Sequence, residues 1–276
     1  MSNNIFFANA KINLGLNIIN KRPDGFHNIE TIFYPIQLVD ILEYMPISLS
    51  NTFTYTESGI KTDCSQDNNL CIRAYRLAQQ TIKLPSLKFH LHKQIPVGAG
   101  LGGGSSDAAN FFKQLIMNFS EIYSDDFAAS QVKKLGSDCA FFIHNTPLFA
   151  FEKGDVFEEI SLSLKNYCLV LVYPNLHVNT SSAYKFVTPS VPKYNLKEIV
   201  SKPILEWKNL LSNDFELSVF QQFPEIKAVK ETLYNKGALY ASMSGSGSSV
   251  YGIFEKETNA NTWFPENYFV WQETMK

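Results

Sequence analysis

Between Pro96 and Ala109 the chain reads Pro-Val-Gly-Ala-Gly-Leu-Gly-Gly-Gly-Ser-Ser-Asp-Ala-Ala, with five glycines in the seven positions 98–104. No other stretch limits the fold as much. Glycine brings no side chain to a core and loses the most backbone freedom on folding, so the run is a poor packing element. It does let backbone N–H groups come close to an anion. Ala108, Ala109, Phe112, Leu115 and Ile116 follow at helical spacing and predict a helix over 105–117. The first turn of that helix adds unpaired N–H groups and the positive end of its dipole. The run reads as a polyphosphate cradle at a helix N-terminus, with an ordinary glycine turn as the competing reading.

Two other phosphate loops fit less well. A P-loop needs a lysine after its last glycine, and none stands here. The dinucleotide pattern G-x-G-x-x-G matches in form at Gly98, Gly100 and Gly103, but it should follow directly from a continuously apolar strand. The strand expected over 87–92 alternates instead, carries Lys88, His90 and His92, and is separated from the glycines by Pro96. A nicotinamide-binding reading therefore ranks last.

The chain has 276 residues, enough for one large or two medium domains. A boundary is expected near residue 162, dividing 1–162 from 163–276. The net charge of −2, with no stretch rich in lysine or arginine, points away from nucleic acid and from a membrane surface. Cys64, Cys71, Cys139 and Cys168 show no C-x-x-C spacing, which argues against a zinc or redox site and suits a reducing compartment. The first residues show no basic stretch followed by an apolar one, and apolar runs such as 168–173 are too short to span a bilayer. A cytoplasmic protein is expected.

Strands are expected over 5–16, 29–35, 40–45, 51–55, 87–92, 148–151, 156–160, 167–173 and 250–254, and helices over 68–83, 105–117, 126–135, 196–211 and 226–236. Residues 21–25 read as a Pro-Asp-Gly turn and 185–194 as irregular. The mixed order favours an α+β fold.

Some side chains stand out against this background. Lys11 sits in an alternating strand, where a lone cation is ordinarily solvated. Asp138, just before an apolar run, reads either as a helix N-cap or as a buried base paired with a lysine. Phe26 and His27, after the turn, suit a flat ring ligand through stacking and a directional hydrogen bond. Ser244-Gly-Ser-Gly-Ser-Ser249 is a second glycine turn. His90 and His92 share a strand face without a third ligand and read as non-metal.

Three of these stretches together resemble the motifs of the GHMP kinase superfamily: Ala10-Lys-Ile-Asn13, Pro96 to Ser106, and Met243 to Ser249, in that order. The resemblance covers nearly the whole chain. With Arg22-Pro-Asp-Gly-Phe-His27 it narrows to the branch that phosphorylates a cytidine-diphosphate-linked methylerythritol. It implies a two-domain fold, with an N-terminal ribosomal-S5-like domain and a C-terminal ferredoxin-like domain. It implies ATP as donor, with Mg²⁺, and a small-molecule acceptor for a monomer or homodimer. Asp138 would be the general base and Lys11 its partner. Pro96, Val97, Gly98, Ala99, Gly100, Leu101, Gly102, Gly103, Gly104, Ser105 and Ser106 would hold the ATP phosphates. Lys93 and Asn69 would lie near adenine or ribose. His27 would hydrogen-bond the cytosine, Phe26 and Tyr184 would sandwich it, and Asn13 would touch the substrate. The metal ligands stay unassigned.

The sequence departs from the family pattern in three places. Phe26 replaces the usual tyrosine, which keeps the stacking surface and loses a hydroxyl. Gly136-Ser-Asp-Cys-Ala140 replaces a proline-containing segment around the aspartate. Ser246 replaces threonine and keeps the hydroxyl. A superfamily kinase acting on mevalonate, homoserine or a sugar is the nearest alternative, and a non-catalytic nucleotide binder is the next.

Overall fold

The computed structural model describes residues 4–47, 53–62 and 64–276. Its strands are β1 (Asn4–Lys21), β2 (His27–Ile47), β3 (Phe53–Gly59), β4 (Ser86–Lys93), β5 (Leu148–Phe151), β6 (Val156–Glu159), β7 (Cys168–Tyr173), β8 (Tyr240–Met243), β9 (Val250–Phe254) and β10 (Phe269–Thr274). Its helices are α1 (Leu70–Thr81), α2 (Gly103–Phe119), α3 (Asp125–Val132), α4 (Phe141–His144), α5 (Thr180–Lys185), α6 (Leu196–Val200), α7 (Ile204–Trp207), α8 (Phe215–Gln222) and α9 (Pro224–Asn235), with a 3₁₀ turn at Ser137–Ala140. The expected α+β class holds.

By packing, the chain forms two compact units that interleave in sequence. One comprises Met1–Ala10, Leu38–Val97 and Gly102–Asn145, the other Lys11–Gln37, Gly98–Leu101 and Thr146–Lys276. Both β1 and β2 are long enough to supply chain to each unit, so these units are not the contiguous stretches 1–162 and 163–276.

In the first unit β3 runs parallel to β4, and β4 runs antiparallel to the second half of β2, from Ile41↔His92 to Ile47↔Ser86. Alternation on β4 buries Leu87, Phe89 and Leu91. The outward His90 and His92 rings bond the Thr56 and Ser58 hydroxyls at 2.8–2.9 Å. The core is aromatic: Phe89 stacks on Phe111 of α2 at 4.0 Å, and Phe53 on Tyr75 of α1 at 4.1 Å.

In the second unit β10-β7-β9-β8 form an antiparallel sheet. Val170, Val172, Met243 and Val250 bury against Phe215 and Val219 of α8 and Ile226, Val229 and Leu233 of α9. The β5–β6 hairpin pairs through β5 with Thr31–Phe33 of β2.

Several boundaries differ from the sequence reading. The strands expected over 29–35 and 40–45 are one strand, β2. Pro35 falls between its stretch paired to β5 and its stretch paired to β4, so the missing N–H breaks neither ladder. The helix expected over 196–211 is two short helices, with Pro203 as the N-cap of the second. The strand expected over 51–55 is β3; Asn51 and Thr52 lie outside the described residues. The helices α5 and α8 and the strand β10 have no counterpart in that reading.

Candidate active site

In the second unit three stretches far apart in sequence share one hydrogen-bonded node. Lys11 on β1 is 3% exposed. Its Nζ donates to Asn13 Oδ1 at 2.6 Å and to the Gly100 carbonyl at 3.0 Å, and lies 5.0 Å from the Phe33 ring centre. Ser244 Oγ donates to the same Gly100 carbonyl at 2.8 Å and accepts from the Asn13 N–H at 3.2 Å. Asn13 Nδ2 donates to Thr31 Oγ1, which donates to the Gly15 carbonyl. Gly100 has φ +80°, and a Cβ there would stand 2.0 Å from the Ser244 carbonyl oxygen. Only glycine fits this close crossing of two backbones.

The second glycine turn is held from below. Asn213 Nδ2 donates to the Met243 and Gly245 carbonyls at 2.9 and 2.8 Å. The Ser249 N–H donates to the Ala99 carbonyl at 3.1 Å. Thr31, Asn213 and the Ser244 hydroxyl were not singled out from the sequence. Their roles depend on contacts spanning up to 231 positions, which no local pattern carries.

The rest of the glycine run opens the first unit's α2. Its N-cap is Gly102 in the left-handed region, and no side chain caps the helix. The first-turn N–H groups therefore have no side chain folded over them, as an anion cradle requires. The helix starts at Gly103, two residues before the expected 105.

Three further predicted residues lie in this unit. Asn69 caps α1, its Oδ1 accepting from the Cys71 and Ile72 N–H groups at 2.9 and 3.2 Å. Asp138 is half-buried in the first turn of the 3₁₀ segment, whose N-cap is Gly136. The capping alternative for Asp138 thus falls away. Lys93 is 4% exposed, and its Nζ is ion-paired with Asp40 and, at 2.8 Å, with Asp107. Burial opposes its charge, but the two carboxylates outweigh that and hold its pKa up. Asp40 and Lys93 both occupy inward positions of alternating strands; that parity was the available signal for a buried pair.

The expected base-binding residues belong to the second unit. The His27 and Tyr184 rings stack at 4.6 Å, 14° from parallel. Tyr184 also meets Phe215 edge-on at 4.8 Å. Burial, with the nearby Lys21 ammonium, holds the His27 imidazole below its ordinary pKa. A neutral imidazole both donates and accepts. Phe26 is 58% exposed, and the Lys153 ammonium lies 5.5 Å from its ring centre.

Among the described residues no group of three or more His, Cys, Asp or Glu side chains is placed to hold a metal. Magnesium in phosphoryl transfer is held largely by phosphate and water with one or two carboxylates.

An N-terminal domain of GHMP kinases matches residues 69–145, and a C-terminal domain of GHMP kinases matches residues 195–262. The chain belongs to the GHMP kinase family. Among its relatives, the 4-diphosphocytidyl-2-C-methyl-D-erythritol kinase of Parabacteroides distasonis is 52% identical, over 92% of this chain and 93% of that protein. The kinase of the same description from Bacteroides fragilis is 48% identical over 99% of this chain and 100% of its own. A crystal structure described as 4-(cytidine 5'-diphospho)-2C-methyl-D-erythritol kinase superposes with TM-score 0.79 at 30% identity, covering 92% of this chain and 91% of that one. The mevalonate kinase of Methanococcus jannaschii shares the fold, with TM-score 0.72 at 14% identity over 100% of this chain and 99% of its own.

Proposed function

We propose that this chain transfers the γ-phosphoryl group of ATP to the 2-hydroxyl of 4-diphosphocytidyl-2-C-methyl-D-erythritol, giving the 2-phosphate and ADP, in isoprenoid biosynthesis. The observation that carries the reading is the node at Gly100, where Lys11 and Ser244 converge on one backbone carbonyl and Asn13 is hydrogen-bonded to both of them. Relatives about half identical over nearly the whole length, described as that kinase, support it.

ATP with Mg²⁺ supplies the phosphoryl group and neutralises its charge. The chain's own residues bind and orient. Backbone N–H groups of the run from Pro96 to Ser106 cradle the phosphates, with Asn69 and Lys93 serving the adenosine end. Asp138 accepts the proton of the attacking hydroxyl, and Lys11 stabilises the charge that develops. Asn13 orients the acceptor. Phe26, His27 and Tyr184 bind the cytosine, which is remote from the reacting oxygen, so its binding energy positions the hydroxyl. The neutral His27 supplies the directional contact, and the two aromatic rings the stacking surface.

The setting proposed is the cytoplasm, with the chain acting as a monomer or homodimer on a small molecule and needing no nucleic acid or membrane. Among the described residues no helix is long and apolar enough to cross a membrane. ADP release with Mg-ATP and the cytidylylated substrate tests the reaction. Turnover with mevalonate or homoserine and none with the cytidylylated alcohol would overturn it.

A further inference from the structure

Beneath the start of α2 lies a charged cluster of which the reaction as described uses only Lys93. Lys93 of β4, Asp40 of β2 and Asp107 of α2 are 4%, 0% and 1% exposed. Asp40 divides its carboxylate: Oδ2 binds Lys93 Nζ, and Oδ1 accepts from the Gln94 and Ile95 N–H groups at 2.6 and 2.9 Å. Asp107 does not. Its Oδ2 accepts from Lys93 Nζ at 2.8 Å, while its Oδ1 is buried with no hydrogen-bond partner. The cluster reaches the phosphate loop directly, because a Cβ on Gly103 would stand 2.8 Å from Lys93 Nζ. Gly103 is the first residue of α2 and part of the proposed cradle.

Charge counting shows what this geometry does. Two carboxylates on one ammonium leave a net negative charge in a dry site under a polyanion cradle. A proton on Asp107 removes that charge and keeps the Lys93–Asp40 pair. We propose that Asp107 is a positioning residue for the nucleotide: together with Lys93 it forms the floor under Gly103, and it carries a proton when the phosphates are bound. The inference rests on the nucleotide reading given above.

The surroundings agree. The titratable groups facing Asp107 are Lys93 on β4, Asp40 on β2 and the fully buried Cys71 thiol on α1. Burial, reinforced by Asp40, pushes the Asp107 carboxyl up to about 8 against the pull of Lys93. Bringing phosphates to Gly103 raises it further. By linkage, a ligand that raises a group's pKa binds more tightly to the protonated form, and its affinity falls as pH climbs through the unliganded pKa.

The probe is Mg-AMP-PNP, titrated calorimetrically into the whole protein from pH 7.5 to 9.5, in pairs of buffers with different ionisation enthalpies. The expected result is affinity weakening by at least about threefold across that range, with proton uptake on binding at the upper end. Asp107→Asn, which cannot gain the charge, is expected to bind with an affinity independent of pH and without that proton. Asp107→Ala, which removes the floor, is expected to raise KM for ATP more than it lowers kcat. A pH-independent affinity in the unaltered protein, or the same pH slope in Asp107→Asn, would overturn the proposal whether or not the alanine variant folds. Absence of AMP-PNP binding at every pH would overturn the nucleotide reading, and this proposal with it.

Discussion

A lysine that is 3% exposed has to be solvated by the protein itself. The groups around Lys11 include the Asn13 carboxamide oxygen, the Gly100 carbonyl and the face of Phe33. Such an arrangement holds the ammonium at one point, as stabilising charge on a reacting oxygen demands. The proposed base, Asp138, is the residue to test at this scale. Asp138→Asn keeps the shape of the side chain and removes its basicity. Turnover is expected to fall by roughly two or more orders of magnitude, while AMP-PNP binding stays near that of the unaltered protein; unchanged turnover would remove Asp138 from the role. Phe26 gives the complementary case. It is 58% exposed, so its loss disturbs little packing. Phe26→Ala is expected to raise KM for the cytidylylated substrate by about three- to tenfold, the range of an aromatic pair, with kcat nearly constant. A kcat defect at unchanged KM would contradict stacking. The sequence marked these residues because each has chemistry out of place in its pattern. It did not mark Asp107, whose neighbours Asp40 and Lys93 come from strands 53 positions apart.

Among the elements, the two glycine turns matter most. Each is recognisable from its residues alone, because so many glycines in so short a run serve backbone geometry rather than packing. That they touch is a fact of the fold, as Gly100 and Ser244 are 144 positions apart. Gly100→Ala forces a Cβ against the Ser244 carbonyl oxygen at φ +80°. The substitution is expected to destabilise the protein by more than about 1 kcal/mol and to weaken AMP-PNP binding, because the two turns must part. Thermal denaturation and calorimetry check both, and a variant as stable and as tight as the parent would show that the crossing is not tight. The strands β4, β5, β6 and β7 lie where their patterns predict. The short helices α6 and α7 read as one helix in sequence because their apolar positions continue across the break at Ser201, Lys202 and Pro203. The strand β10 is half-buried along most of its length, so no alternation announces it.

The whole molecule is built so that β1 and β2 each serve two packing units, and no composition shift reveals this in sequence. The family was legible in the order of three motifs, since phosphate binding, charge stabilisation and acceptor recognition each need particular residue types. The acceptor is the finer claim, and it rests on Phe26, His27 and Tyr184. The fold alone is shared with the mevalonate kinase of Methanococcus jannaschii at 14% identity and does not choose between acceptors. The most direct test is ADP release by the purified protein with Mg-ATP and 4-diphosphocytidyl-2-C-methyl-D-erythritol, run beside mevalonate and homoserine. Turnover with the cytidylylated alcohol, inhibited by CMP and absent with the other two, is the predicted result. Turnover with mevalonate or homoserine, or ATP binding with no turnover on the cytidylylated substrate, would contradict it.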